Sequence, residues 1–432
     1  MSTARRFEGF GMKEDQAGPP YDCQRHKKLL NKVRSPCFKD DTLMKHSLRL
    51  PLLLAVIVSM LCHPGVARAC TAFQLQSQDQ SWVYFRSMEF GFPFNSQGII
   101  VPRGTEYTGA TPDGKNGGLK WSAKYGFVGM NVDLAPEIVA DGMNEKGLVV
   151  GMLYLPGYSE YLPADPAKSD RTIGSWQAAA YLLSTCATVA EAKAALESQS
   201  VYIAQQIFPP FKQLLPVHYY ISDATGAVLI AEFVNGKLRL HDDPIGILTN
   251  SPPFDWQTIN LSNYVNLSPV NIPQVTLKGL DIVNYGQGSG LIGLPGDFTP
   301  PSRFVRAAVF SQCAAPQPTA MATVNEGFHV LNTFDIFSGA IRSNTAEQSD
   351  NTKGFITSTG PAKIVNTDTT EWTIAHDRTN LQTYVRTYEG LQIQRIDLKK
   401  VDFTKPGILQ VEMNREFVPA DISASAKPLT AR

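Results

Sequence analysis

The chain has no excess of charge of either sign: among 432 residues, 39 Lys and Arg face 39 Asp and Glu, so the formal net charge is zero. That balance removes any global electrostatic reason to expect nucleic acid or an anionic membrane as partner. Its most apolar run, "LPLLLAVIVSMLC" from Leu50 to Cys62, falls short of the roughly 20 residues a membrane span needs. No H-E-x-x-H or C-x-x-C pairing suggests a metal, and no cofactor is expected. No repeat and no Gly/Pro/Ser-rich linker divides the second part of the chain. With these classes set aside, function has to be read from local sites.

What is present begins with that short apolar run. A basic stretch, "MKHSLR", precedes it, and "HPGVARA" follows, ending in Ala67-Arg68-Ala69 with small residues at the two positions a signal peptidase reads. The order predicts a signal peptide over 44–69, cut just before Cys70. Arg68 argues against a lipoprotein box, so a soluble form exported across the inner membrane, periplasmic or extracellular, is expected. Residues 1–43 are polar and without periodicity, and read as an upstream extension, disordered or not translated. Residues 70–432 are then expected as a single domain. Of the six cysteines, Cys23, Cys37 and Cys62 go with the leader. The odd remainder, Cys70, Cys186 and Cys313, implies one free thiol, with a pair between the last two left open.

From Cys70 on, "TAFQLQ" and "WVYFRSM" alternate as a hairpin, and "IVADGMN" and "LVVGMLYL" form a second one turning at Glu145 to Gly147. Helical period follows in "GSWQAAAYLLSTCATVAEAKAALESQ", with Thr188 as a cap. "VHYYISD", "AVLIAEFV" and "KLRLHDD" read as a meander with a tight turn at Asn235-Gly236. Two further helices are expected in "SRFVRAAVFSQC" and "ATVNEGFHVLNTF", then closing strands around "WTIAHD", "LQTYVRTYE" and "LQIQRIDL". Blocks of strands and blocks of helices predict an α+β protein with helices facing layered sheets. Gly288-Ser289-Gly290-Leu291-Ile292-Gly293 satisfies G-x-G-x-x-G, but the prolines after it prevent a helix from starting at its last glycine. It reads as a pocket loop. His218 and His329 read as packing residues.

An N-terminal cysteine carries its own base, because an α-amino group titrates near pH 8 and can accept the thiol proton. Such a residue suits acyl transfer from an amide through a thioester to water. Here "CTAFQL", "FRSMEF", "DGMNEKGL", "ILTNSPPFDW" and "GQGSGLIGLPGDFTPPSRFVR", occurring in order between Cys70 and about Asp397, resemble the cholylglycine hydrolase group of N-terminal nucleophile amidohydrolases. That group holds conjugated bile salt hydrolases and penicillin V acylases.

The resemblance implies a four-layer αββα sandwich and a hydrolase of linear amide carbon-nitrogen bonds. It implies Cys70 as nucleophile, Arg86 as the cation near its thiol, Asn250 as oxyanion donor and Arg303 as the distal arginine ordering the nucleophile's surroundings. Two departures stand out. Glu89 occupies the family's usual aspartate position, so its contact to the nucleophile's amine must be re-aimed or replaced. Tyr154 stands where bile salt hydrolases tend to carry asparagine; its backbone N–H is then the oxyanion donor while its ring lines the pocket, as in the penicillin acylase branch. The leading expectation is a penicillin V acylase-like enzyme acting on a small N-acyl amide. N-acyl homoserine lactones and conjugated bile salts are the alternatives, and an inactive exported binding protein is the alternative of another class. The only partner expected is the small-molecule substrate, with homo-oligomerisation left open.

Overall fold

The computed structural model describes residues 70–427, apart from 92, 115–116, 133–134, 211, 285 and 343–366. The expected signal peptide and upstream extension lie outside the described residues. In chain order the main elements are β1 (Cys70–Gln76), β2 (Trp82–Phe90), β3 (Gly98–Val101), β4 (Phe127–Val132), β5 (Ala135–Asn144) and β6 (Val149–Tyr154). Helices α1 (Ala178–Thr185) and α2 (Val189–Glu197) follow, then β7 (Val217–Ser222), β8 (Val228–Val234) and β9 (Lys237–Asp242). The rest comprises α3 (Phe254–Asn260), α4 (Pro300–Cys313), α5 (Ala320–Leu331), β10 (Thr367–Asp377), β11 (Gln382–Thr387), β12 (Gln394–Asp397) and β13 (Leu409–Val411).

One sheet runs β1-β2-β10-β11-β12, with Ile341–Arg342 added beside β10; the other runs β9-β8-β7-β6-β5-β4-β3-β13. Within both, every pairing is antiparallel. Helix α4 packs on β1 and α5 on β2 and β10, whereas α1 covers β5 and β6 and α2 covers β7 and β8. Between the sheets, Tyr84 of β2 meets Tyr220 of β7 at 5.0 Å between ring centroids. The layers are therefore helix, sheet, sheet, helix, as expected.

This layering explains why β2 is buried along almost its whole length rather than on one face. Side chains alternate across a strand. Val83, Phe85, Ser87 and Glu89 thus face the helices, while Tyr84, Arg86 and Met88 face the second sheet. The β1–β2 register pairs Cys70 with Met88 and Gln76 with Trp82.

Thr188 caps α2 by accepting from the Glu191 N–H at 3.2 Å, and the β8–β9 turn places Asn235 and Gly236 at φ of 54° and 69°. Both follow the sequence expectation. His329 does not: it lies exposed on α5. Nor does the glycine-rich segment line the pocket at Cys70. Gly290 instead lies against the main chain of Ser268 and Val270, leaving no room there for a Cβ, and the following helix begins only at Pro300. The three described cysteines are free.

Helix α5 reaches the sheet through a glycine. A Cβ built on Gly327 would lie 2.1 Å from the Phe85 ring, which itself stacks on Phe73 at 5.1 Å. Gly327→Ala should therefore destabilise the protein by about 1–3 kcal/mol in urea unfolding, despite the better helix propensity of alanine. A neutral or stabilising change would show that the helix–sheet contact is loose.

Candidate functional site

Cys70 opens β1 at the edge of its sheet and is 2% exposed. Its Sγ lies 3.6 Å from Met88 Sδ and 3.7 Å from Arg86 Nη2. Arg86 has no contact with water and reaches across to the second sheet. Its Nη1 donates to the Ala140 carbonyl at 2.5 Å and the Asp141 carboxylate at 3.1 Å, and its Nη2 to the Met152 carbonyl at 2.7 Å. Burial alone would lower the guanidinium, but the Cys70 sulfur and the Asp141 carboxylate hold it above its ordinary value.

Asp141 is itself buried and accepts from Tyr84 Oη at 2.8 Å, with His376 Nε2 also at 2.8 Å. Sequence reasoning did not single it out. The signal was there: an acidic residue inside the apolar strand "IVADGM" needs a buried partner. Nothing comparable marks His376 or Met88.

Asn250 sits in the segment after β9, next to the cis peptide Ser251–Pro252. Its Oδ1 accepts from the Cys70 N–H at 2.7 Å and from Arg303 Nη2 at 2.7 Å. Its Nδ2 donates to the Tyr154 carbonyl at 2.7 Å. The donors on one side and the acceptor on the other define the amide's orientation, and a carboxamide nitrogen carries a second hydrogen. Arg303 also donates to the Cys70 carbonyl, to Thr71 Oγ1 at 2.8 Å and to the Phe298 carbonyl at 2.9 Å.

The first turn of α4, which carries Arg303, is fixed by Asp297. Burial, the largest single effect, would raise the Asp297 carboxyl, but hydrogen bonds from Thr299 and Ser302 together outweigh it and keep it down at about 2. The proline pair at the helix start needs no N–H partner.

The sequence-predicted residues Cys70, Arg86, Asn250 and Arg303 thus come together, and Tyr154 joins them through its carbonyl. Glu89 does not touch Cys70. On the helix-facing side of β2 it is fully buried, and neither carboxyl oxygen has a hydrogen-bond partner among the described residues. Burial pushes it up to about 8, against the pull of the Arg303 guanidinium. The main-chain nitrogen of Cys70 is met by Asn250 instead.

In front of the sulfur lies an apolar pocket of about 50 Å³, lined by Met88, Phe90, Phe94, Met152, Tyr154 and Phe208 among others.

The family described as linear amide C–N hydrolases, choloylglycine hydrolase family, matches residues 70–357, beginning at Cys70. The chain belongs to that family. It is 32% identical to the bile salt hydrolase/transferase of Clostridium perfringens over 336 residues, 77% of this chain and 93% of that protein. It is 26% identical to the penicillin V acylase of Pectobacterium atrosepticum over 359 residues, covering 81% and 86%. A crystallised variant of the conjugated bile acid hydrolase from C. perfringens superposes with a TM-score of 0.70 at 29% identity, over 82% of this chain and 100% of that one. The protein is a hydrolase of linear amides with the N-terminal nucleophile fold.

The buried carboxyl yields a test. Between its ordinary value of 4.5 and about 8, folded Glu89 holds a proton that the unfolded chain has released. Its contribution to stability is therefore complete below the lower value and lost as pH rises toward the upper one. In a chain retaining residue 69, the melting temperature of Glu89→Gln relative to the parent should rise between about pH 5 and about pH 8. A constant difference would show that the carboxyl ionises normally.

Proposed function

We propose that this hydrolase is exported, that its mature form begins at Cys70 with a free α-amine, and that it removes a hydrophobic acyl group from a small amide through a thioester. The observation that carries this reading is the placement of the Cys70 main-chain nitrogen on Asn250 Oδ1, beside the sulfur's apolar pocket. In the reaction the sulfur attacks the amide carbon while its proton passes to the α-amine. Arg86 favours negative charge on sulfur. The second N–H of Asn250 Nδ2 donates to the tetrahedral oxyanion, with the Tyr154 N–H as the other donor. Collapse expels the amine, which takes the proton from the α-ammonium. Water then attacks the thioester, releasing the acid and restoring the thiol.

The pocket bears on the substrate. Even a benzene-sized guest occupies cavities of about 150 Å³, so an acyl group enters this pocket only as the flexible Met88 and Met152 side chains give way. Aromatic walls suit an aryl group or an extended acyl chain better than a fused-ring sterol. Penicillin V is accordingly the leading substrate, with N-acyl homoserine lactones next. A second reading, conjugated bile salts, is favoured by the higher identity to the clostridial bile salt hydrolase. A panel of penicillin V, a long-chain acyl homoserine lactone and glycocholate decides among them. Glycocholate as the fastest substrate would overturn the ranking.

Intact mass of the active protein should correspond to a chain starting at Cys70. A fully active species retaining even one earlier residue would rule out the α-amine as base. Cys70→Ala should abolish turnover, and iodoacetamide should inactivate by modifying Cys70 alone.

Asn250→Ala should lower kcat by about 10²–10³-fold with much less change in KM. Replacing Tyr154 by a smaller residue should shift the ratio of penicillin V to acyl-lactone hydrolysis more than the common rate. An Asn250→Ala effect confined to KM would remove it from the oxyanion site.

A further inference from the structure

His218, a packing residue by its sequence pattern, is fully buried on β7 with both ring nitrogens facing oxygen atoms. Nδ1 lies 2.8 Å from Glu232 Oε1 on β8, and Nε2 lies 3.0 Å from the carbonyl of Thr249. Thr249 immediately precedes Asn250. Glu232, equally buried, also accepts the Phe254 N–H on both oxygens, at 3.1 and 3.2 Å. His241 approaches it from β9 at 3.8 Å. The pair therefore grips both ends of the segment 249–254, whose middle has no ladder hydrogen bonds of its own and carries Asn250 and the cis Ser251–Pro252 bond.

The Asn250 side chain is met directly by Tyr154, Cys70 and Arg303, and the rest of the segment has further attachments, Gln257 Nε2 to the Pro252 carbonyl at 3.3 Å among them. Thr249 Oγ1 donates to the Pro300 carbonyl at 3.1 Å, Ser251 Oγ to the Pro156 carbonyl at 2.6 Å, and Gln257 Nε2 to the Asn250 carbonyl at 3.3 Å. Among the described residues, the contact printed for the carbonyl entering Asn250 is the one from His218, which stands on a central strand of the second sheet. A loop cannot by itself hold a side chain to the fractions of an ångström that an oxyanion donor requires.

We infer that the His218–Glu232 pair is a positioning unit for Asn250: anchored in the second sheet, it sets where the Asn250 amide lies relative to Cys70, without touching substrate. The inference rests on Asn250 being the oxyanion donor.

A double-mutant cycle tests it, with active sites counted by Cys70 alkylation so that only folded enzyme enters the rates. His218→Gln should lower kcat by about tenfold with KM within about twofold, and should leave the rate of Cys70 alkylation by iodoacetamide unchanged. In the Asn250→Ala background the same substitution should lower kcat by less than about twofold, because the group it positions is gone. Glu232→Gln, which keeps a carbonyl acceptor, should be milder than Glu232→Ala, and serves as the first arm of the cycle should His218→Gln fail to fold. Equal losses in both backgrounds would overturn the proposal and leave the pair a structural contact, with Asn250 still the donor. An Asn250→Ala enzyme of undiminished kcat would overturn both this inference and the reading beneath it.

Discussion

The site depends on one buried guanidinium. Arg303 has no exposed surface, yet it joins three separate pieces of chain: the carbonyl of Cys70 and the hydroxyl of Thr71 on β1, the side chain of Asn250, and the Phe298 carbonyl ahead of α4. Taking a charge out of water is costly, and burial lowers this guanidinium below its ordinary value. The cost is offset only while these acceptors stay where they are. Strand β1 is an edge strand, held along one side by β2 and on the other by a single bridge from Ala72 to Leu248. Arg303 holds the carbonyl of its first residue, whose N–H is met by Asn250.

The second buried cation works in the other direction. Arg86 points between the sheets, and its contacts with Ala140, Asp141 and Met152 make the sheet–sheet packing and the surroundings of the sulfur the same problem. Asp141 is in turn held by Tyr84 and His376, both from the first sheet. The network closes on itself across the interface. A charge fixed by such a closed ring does not need to reorganise when a neighbouring charge changes.

Most of the architecture was legible in the sequence because it is written locally. The β1–β2 hairpin, the Thr188 cap, the Asn235-Gly236 turn and the prolines before α4 each depend on a few neighbouring residues. The order of the family stretches located Cys70, Arg86, Asn250 and Arg303. What could not be read was placement that depends on two distant elements at once. Nothing in "VHYYIS" says that His218 will face the carbonyl before Asn250, and nothing near His376 says that it will meet Asp141. The glycine-rich segment misled for the opposite reason: Gly290 answers to a close approach of main chain at Ser268 and Val270, while Gly288 and Gly293 take positive φ. Glu89 shows the limit of transferring a motif position, since alternation along β2 turns its carboxyl toward the helices, on the face opposite Met88 and the thiol.

Tyr154 links the pocket wall to the Asn250 amide. Its ring is part of the pocket wall, while its carbonyl takes one of the two hydrogens of the Asn250 amide and so aims the other. Residues that shape a pocket are usually free to vary because they touch only substrate. This one sits at the end of β6, paired with Val217, and the residue after Val217 is the His218 that holds the other approach to Asn250. A change of side chain that left the end of β6 in register would alter the pocket alone. One large enough to shift the strand would move the Tyr154 and His218 contacts of the Asn250 segment together. How far this wall can change is therefore bounded by the β6–β7 ladder to which it belongs.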